Sequence, residues 1–322
     1  MNINIVTIFD KNYIVRTLAF YDALCKVEKE CIFWFACMDQ ETKHIMSILD
    51  LPRVKLFTIE DMGDTELLGT KSGRSYAEFV FTSKSAAMHY VMNKIPDGDA
   101  LVFSDNDVIY FSSPKNILNR IASLGKSIAI VPHRFPKEKE YMNERVGRYN
   151  AGLVYFIAGE NSRLCIRDWR KECVNWCYLK YENGRFGDQL YMNAWPEKYT
   201  GVYEIPDKGV NVGSWSLSNW KVSKKEGIFY IDESLLVCYH YHRIKFYIDG
   251  NTVKPLPIYI FHDELYQAYT AMLQNAWEKM HAIEKNWPYG FIEKPGILRL
   301  WKQRVTRLVR KIKGTQTVAG EN

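Results

Sequence analysis

Apolar and polar positions alternate in blocks along the first hundred residues of this chain. The apolar run over residues 2–8 predicts a buried strand, and over 12–26 Ile14, Leu18, Tyr21 and Leu24/Cys25 recur at helical spacing. Cys31–Cys37 predicts a second strand, residues 41–49 a helix and 54–59 a third strand. A longer helix over 76–94 stops at the turn cluster Pro96-Asp97-Gly98-Asp99. Ala100–Ser104 (ALVFS) then predicts a strand that runs straight into Asp105-Asn106-Asp107. The β-α-β-α-β-α-β order implies an α/β fold with a mostly parallel sheet flanked by helices. Such sheets bind ligands beyond the carboxyl ends of their strands, which is where Asp105 falls.

The second half is less regular. Residues 127–131, 152–157 and 235–239 read as strands, and 162–181, 187–195 and 263–285 as helices. Pro295-Gly296 separates the last of these from residues 297–313, where Ile297, Trp301, Val305, Leu308 and Ile312 recur at steps of three or four. A length of 322 residues suits one large domain with an appended piece. No repeat and no boundary is visible within 1–260. The expected division is a body over 1–260, a helical segment over 261–294 and a basic amphipathic tail over 295–322.

Charge sharpens that division. Residues 297–313 hold seven Lys/Arg (Arg299, Lys302, Arg304, Arg307, Arg310, Lys311 and Lys313) and no acid. Set against a whole-chain charge of +6, this leaves the remainder at −1. A near-neutral body argues against nucleic-acid binding, which needs a basic face on the domain itself. A basic amphipathic helix suits an anionic membrane surface. The alternatives are a helix packed on its own domain with a solvated basic face, or one that binds an acidic partner. The seven Cys show no zinc-like or disulfide-like spacing, the first residues lack a signal-peptide pattern, and no apolar run approaches the ~20 residues of a membrane span. A reduced, cytoplasmic protein follows as the expectation, attached peripherally to the inner face of the membrane where the tail engages it. An aromatic content of 14% fits sugar-facing surfaces as well as a Tyr-rich core.

Four short constellations carry candidate chemistry. Asp105 and Asp107, one residue apart on a turn after an apolar strand, can face one divalent cation, and hard oxygen ligands suit Mg²⁺ or Mn²⁺. The alternative is a solvated turn or helix cap. In Cys238-Tyr239-His240-Tyr241-His242 the two His share one strand face, and one of them can complete a metal site; otherwise they are surface or hydrogen-bonded His. Gly187-Asp188-Gln189 reads as a polar helix start with Asp188 as N-cap, and Asn150-Ala151-Gly152 as turn chemistry into a strand.

Taken in order, Asp105-Asn106-Asp107, Tyr149-Asn150-Ala151-Gly152, Phe186-Gly187-Asp188-Gln189 and Tyr239-His240-Tyr241-His242 resemble the motifs of GT-A-fold nucleotide-diphospho-sugar transferases, in particular the family-8-like glycosyltransferases and bacterial relatives found among surface-polysaccharide genes. Asp10-Lys11-Asn12-Tyr13, Glu78–Lys84, Pro132–Phe135 and Gly209–Trp215 join the resemblance, which covers about residues 1–250. It implies a GT-A (Rossmann-like) fold with a C-terminal helical extension, and transfer of a hexose from a nucleotide diphosphate sugar, UDP-sugar foremost, to a glycan or lipid-linked acceptor. Retention of configuration and dependence on Mn²⁺ or Mg²⁺ are part of that implication. By the same resemblance Asp105, Asp107 and His240 hold the metal, Asn106 lies near the ribose, and Lys84 contacts the donor. Asn150, Asp188 and Gln189 line the donor sugar and reaction centre, while Asp10 and Tyr13 hold the base. His242-Arg243-Ile244-Lys245 departs from the Gly-Lys-Pro-Trp-like stretch usual after the histidine, leaving Lys245 as the candidate for the phosphates. A nucleotidyltransferase would want an early Gly-rich phosphate loop, and residues 5–20 contain no Gly. A zinc hydrolase built on His240 and His242 lacks the HExxH pattern. A non-catalytic sugar-nucleotide or glycan-binding relative would not need the intact Asp pair and His240.

Overall fold

The computed structural model describes residues 1–285 and 287–312. The first half runs β1 (Ile3–Phe9), α1 (Ile14–Val27), β2 (Cys31–Cys37), α2 (Gln40–Ile48), β3 (Val54–Thr58), α3 (Thr65–Gly69), α4 (Tyr76–Met92), β4 (Ala100–Ser104), β5 (Val108–Tyr110), α5 (Lys115–Ser123), β6 (Ile128–Pro132), α6 (Met142–Arg145) and β7 (Tyr149–Ile157). The second half runs α7 (Glu160–Asn175), α8 (Trp195–Lys198), β8 (Val202–Glu204), β9 (Val212–Gly213), β10 (Val222–Lys225), β11 (Ile228–Ile231), β12 (Ser234–Leu235), β13 (Cys238–His240), β14 (Phe246–Asp249), β15 (Thr252–Pro255), α9 (Asp263–Ile283) and α10 (Ile297–Ile312).

The main sheet has the order β3-β2-β1-β4-β7-β6-β8. The pairs among β1 to β4 are parallel, as the sequence pattern predicts. All seven residues of β1 are buried, the mark of a central strand covered on both faces. Ile3, Ile5 and Phe9 enter the core beneath α1 and α9, while Val6 and Ile8 enter the opposite core beneath α4 and α7. Helix α4 starts on a capping box: the Ser75 hydroxyl accepts from Glu78 N, and the Glu78 carboxylate accepts from Ser75 N. The chain winds outward from β1 to β3 and returns on the far side of β1 as β4. The switch point of the sheet, where such folds bind ligands, therefore lies between the carboxyl ends of β1 and β4.

Strand β7 departs from the all-parallel pattern, running antiparallel to both β4 and β6. Its reversal places its first residues, Tyr149 to Gly152, at the carboxyl end of β4. The register pairs Ser104 with Leu153, and Asp105 N donates to Gly152 O at 2.8 Å.

Three other predicted elements are corrected. The helix expected over 162–181 ends at Asn175, because Trp176 turns extended and both Trp176 and Cys177 are buried. The helix expected from Gly187 does not start there: Gly187 has φ +52°, and only a short 3₁₀ turn over Leu190–Ala194 precedes α8. The strand expected over 235–239 is split. Ser234–Leu235 pairs with β11, whereas Cys238–His240 pairs with β5 and β9. Strand β5 was not expected, and it decides where His240 goes.

Candidate active site

The turn between β4 and β5 is closed by Val108 N donating to Asp105 O at 3.1 Å, so the Asp105 and Asp107 side chains leave a single turn. Strand β13 pairs antiparallel with β5 and sets His240 opposite Val108, and Tyr241 N donates to Asp107 O at 2.8 Å. This register brings His240 Nε2 to 3.1 Å from Asp107 Oδ1 and 4.0 Å from Asp105 Oδ2. One ligand atom from each of the three residues lies within 4.8 Å of the other two. Two carboxylate oxygens and one imidazole nitrogen form a donor set suited to Mn²⁺ or Mg²⁺.

On the other side of Asp105, α4 delivers Lys84. Its buried Nζ stands 3.4 Å from Asp105 Oδ1 and 3.1 Å from Asp188 Oδ2, and donates to Ala151 O at 3.3 Å. Asp188 is fixed by its backbone, whose carbonyl accepts from Trp169 Nε1 at 2.8 Å. The N-cap reading of Asp188 does not hold; its carboxylate faces Lys84 instead. The resulting row of Asp188, Lys84, Asp105, His240 and Asp107 draws on four separated parts of the chain.

No family model matches the chain. Among proteins of known sequence, YfnD of Bacillus subtilis (strain 168), an uncharacterized protein, is 30% identical over 240 residues, which are 73% of this chain and 76% of YfnD. This chain belongs to the YfnD family. YfnF of the same strain, also uncharacterized, is 27% identical over 241 residues, or 73% of this chain and 79% of YfnF. Among solved structures, the galactosyltransferase LgtC in complex with donor and acceptor sugar analogues matches with a TM-score of 0.51 at 13% identity, over 84% of this chain and 95% of that one. This YfnD-family chain thus has the GT-A glycosyltransferase fold.

Electrostatics bind the row together. Burial alone would lower the Lys84 ammonium, but Asp105 and Asp188 more than reverse this and hold it above the usual lysine range. Burial raises the Asp105 carboxyl, only partly opposed by Lys84 and His240. Burial also acts to raise Asp107, yet His240 outweighs it and brings that carboxyl down to about 2. His240 is itself raised, its burial overcome by Asp107. A YfnD-family variant with Lys84→Met would leave Asp105 and Asp188 facing each other without their cation. Breaking a buried ion pair on one side costs roughly 3–5 kcal/mol. Denaturant unfolding of Lys84→Met should show a loss of that order, and an unchanged midpoint would refute the pairing.

The other expected site residues make the following contacts. Asn150 is buried in the YfnD-family scaffold: its Oδ1 accepts from Gly152 N at 2.9 Å and from Asn211 Nδ2 at 3.1 Å, and its Nδ2 lies 2.9 Å from His133 Nε2. Gln189 donates to Val146 O at 2.7 Å. Asn106 is buried and donates to Ile8 O at 3.4 Å, tying the end of β4 to the end of β1. Asp10 caps the turn after β1 through Asn12 N and accepts from Tyr76 OH at 2.8 Å, beside an exposed Tyr13. Lys245 is exposed and makes no side-chain polar contact among the described residues.

Three supporting residues had no role in the sequence reading. Burial holds His133 neutral, pushed down to about 3, so that it can pair with the Asn150 amide. Asn211 takes φ +56°, a conformation Asn tolerates better than most residues. Trp215 donates to His133 O at 2.9 Å and meets the His240 ring edge-on at 5.1 Å. Their signal was present in Pro132–Phe135 and Gly209–Trp215, segments that carried the family resemblance without showing why.

Proposed function

We propose that this YfnD-family protein is a glycosyltransferase that moves a hexose from a nucleotide diphosphate sugar, UDP-sugar foremost, to a glycan or lipid-linked acceptor with retention of configuration. The observation that carries this reading is the Asp105–Asp107–His240 cluster at the switch point of a GT-A sheet, flanked by Lys84 and Asp188. Asp10 and Tyr13, at the end of β1, would receive the base, Asn106 the ribose side, and Lys245 would reach toward the phosphates. Asp105, Asp107 and His240 would hold a divalent ion, which would supply positive charge to a departing diphosphate. Lys84 adds a fixed ammonium beside that position, dry enough for its charge to be weakly screened. Asp188 presents its carboxylate toward the sugar carbon that becomes cationic as its bond to the phosphate oxygen breaks. The acceptor oxygen then bonds to that carbon on the same face, and its proton passes to a phosphate oxygen of the leaving group. Asn150 and Gln189 act in this scheme by holding the walls of the donor-sugar site. Residues 1–260 form the transferase body in this reading, with 261–294 a helical segment and 295–322 a basic tail that attaches the enzyme to the inner face of the cell membrane.

The test is nucleotide release from a panel of UDP-, GDP- and dTDP-sugars, with and without chelator and acceptor glycans. Asp188→Asn keeps the size of the side chain and removes its charge. Turnover should fall on the order of tenfold or more while donor affinity stays near that of the parent. An unchanged turnover would return Asp188 to a purely structural partner of Lys84.

A further inference from the structure

Helix α10 is amphipathic in sequence, and an amphipathic helix at a protein surface ordinarily turns its apolar face inward. Here it is mounted the other way round. Ile297, Trp301 and Ile312 are 87%, 64% and 76% exposed, and Leu298, Val305 and Leu308 are exposed with them. At 3.6 residues per turn these side chains fill an arc of roughly 100°. The face turned to the body is Leu300, Gln303, Arg307 and Arg310, almost diametrically opposite. Arg310 is 8% exposed; its guanidinium donates to Ile258 O at 2.7 Å and to Ile260 O, and lies over the Phe261 ring. Arg307 donates to Ile260 O at 3.3 Å and pairs with Asp263, which Lys311 also reaches at 3.2 Å. Arg307 and Arg310 thus face the body while the apolar stripe faces solvent, with Arg299, Lys302, Arg304 and Lys311 exposed as well. Beyond Pro295-Gly296 the helix is docked on the body. Lys313, the last basic residue of the predicted stretch, lies outside the described residues.

We infer that α10 is a prebuilt membrane-docking plate, held to the body by Arg307 and Arg310 so that its apolar arc meets an anionic lipid bilayer. This rests on the membrane attachment proposed above and adds which face inserts and why it is already formed. Charge selects the occupant. Lys302 and Arg304 project on either side of the apolar arc and Arg299 stands further round; none of the three has an ion pair among the described residues, and the helix contains no acid. Two copies of α10 face to face would set these cations against one another, whereas anionic headgroups would neutralise them. Exposed Trp301 suits the boundary between headgroups and acyl chains. Among the described residues no helix is long and apolar enough to cross a membrane, so the plate lies on the surface rather than spanning it.

The experiment is flotation of the full chain with vesicles of phosphatidylcholine alone or mixed with phosphatidylglycerol. The parent chain should float with the mixed vesicles only, and added salt should release it. Trp301→Ser with Leu308→Ser should weaken binding on the order of tenfold or more, while nucleotide release from donor in vesicle-free buffer stays at the parent level. Arg307→Ala with Arg310→Ala keeps the stripe but frees the helix; amide exchange over 297–312 without lipid should become fast, although the parent is protected there. Equal flotation of the stripe variant, flotation that ignores phosphatidylglycerol, or stripe-dependent dimers of the parent in vesicle-free sedimentation would each overturn the proposal. Fast exchange in the parent would overturn the prebuilt plate. Absent transferase activity with intact lipid binding would instead count against the function proposed for the body.

Discussion

Asp107→Ala is expected to lower sugar transfer on the order of 10²-fold or more, with Asp105→Ala close behind and chelator reproducing the loss in the parent. Several kcal/mol of leaving-group stabilisation depend on positive charge at this turn, and each ~1.4 kcal/mol is tenfold in rate. The geometry adds a reason to expect severity. Asp107 lies 3.1 Å from His240 Nε2 and keeps that ring oriented, so its removal also frees the third donor. Nucleotide release under saturating donor is the measurement. Full turnover in chelator, or in Asp107→Ala, would remove the central reading.

Gly152→Ala should be nearly as damaging, although it adds a single methyl group and replaces no proposed ligand. A Cβ at Gly152 would stand 2.6 Å from Asp105 Oδ2, 2.6 Å from His240 Cε1 and 2.7 Å from Asn150 Oδ1. Every direction of relief displaces a member of the proposed metal set or breaks the Asn150 network behind it. Overpacking of this kind costs about 1–3 kcal/mol of stability, and a misplacement near 1 Å can cost on the order of 10²-fold in rate. Transfer rate and thermal unfolding, measured on the same preparations, separate the two effects. Gly73→Ala is the control, since nothing lies within 4 Å of its added Cβ. A Gly152→Ala enzyme that turns over like the control would show that the close approach is not required.

The local features of the site were legible because they are local. An apolar strand followed at once by Asp-Asn-Asp predicts a buried strand ending at the carboxyl edge of a parallel sheet, and β4, buried throughout and parallel to β1, is that strand. The same holds for the alternation that yields β1 to β4. Three contacts could not be read this way, because each depends on which distant strand or loop is a neighbour. His240 meets Asp107 only because β13 pairs with β5, a three-residue strand too short to show periodicity. Gly152 reaches Asp105 only because β7 runs antiparallel, which residue pattern does not specify. Asn150 meets His133 and Asn211 only through tertiary contacts that its own sequence neighbourhood does not reveal.

The tail shows the same division in one helix. Its sequence alone determined that 297–312 is amphipathic and basic, since spacing at 3.6 residues per turn is a property of the chain by itself. Which face is inward is a competition between partners, and spacing cannot settle it. The body offers Arg307 and Arg310 the carbonyls of Ile258 and Ile260 and the carboxylate of Asp263. Paired guanidinium groups gain more there than an apolar stripe would against those polar groups. Tertiary structure therefore decided that the stripe faces outward.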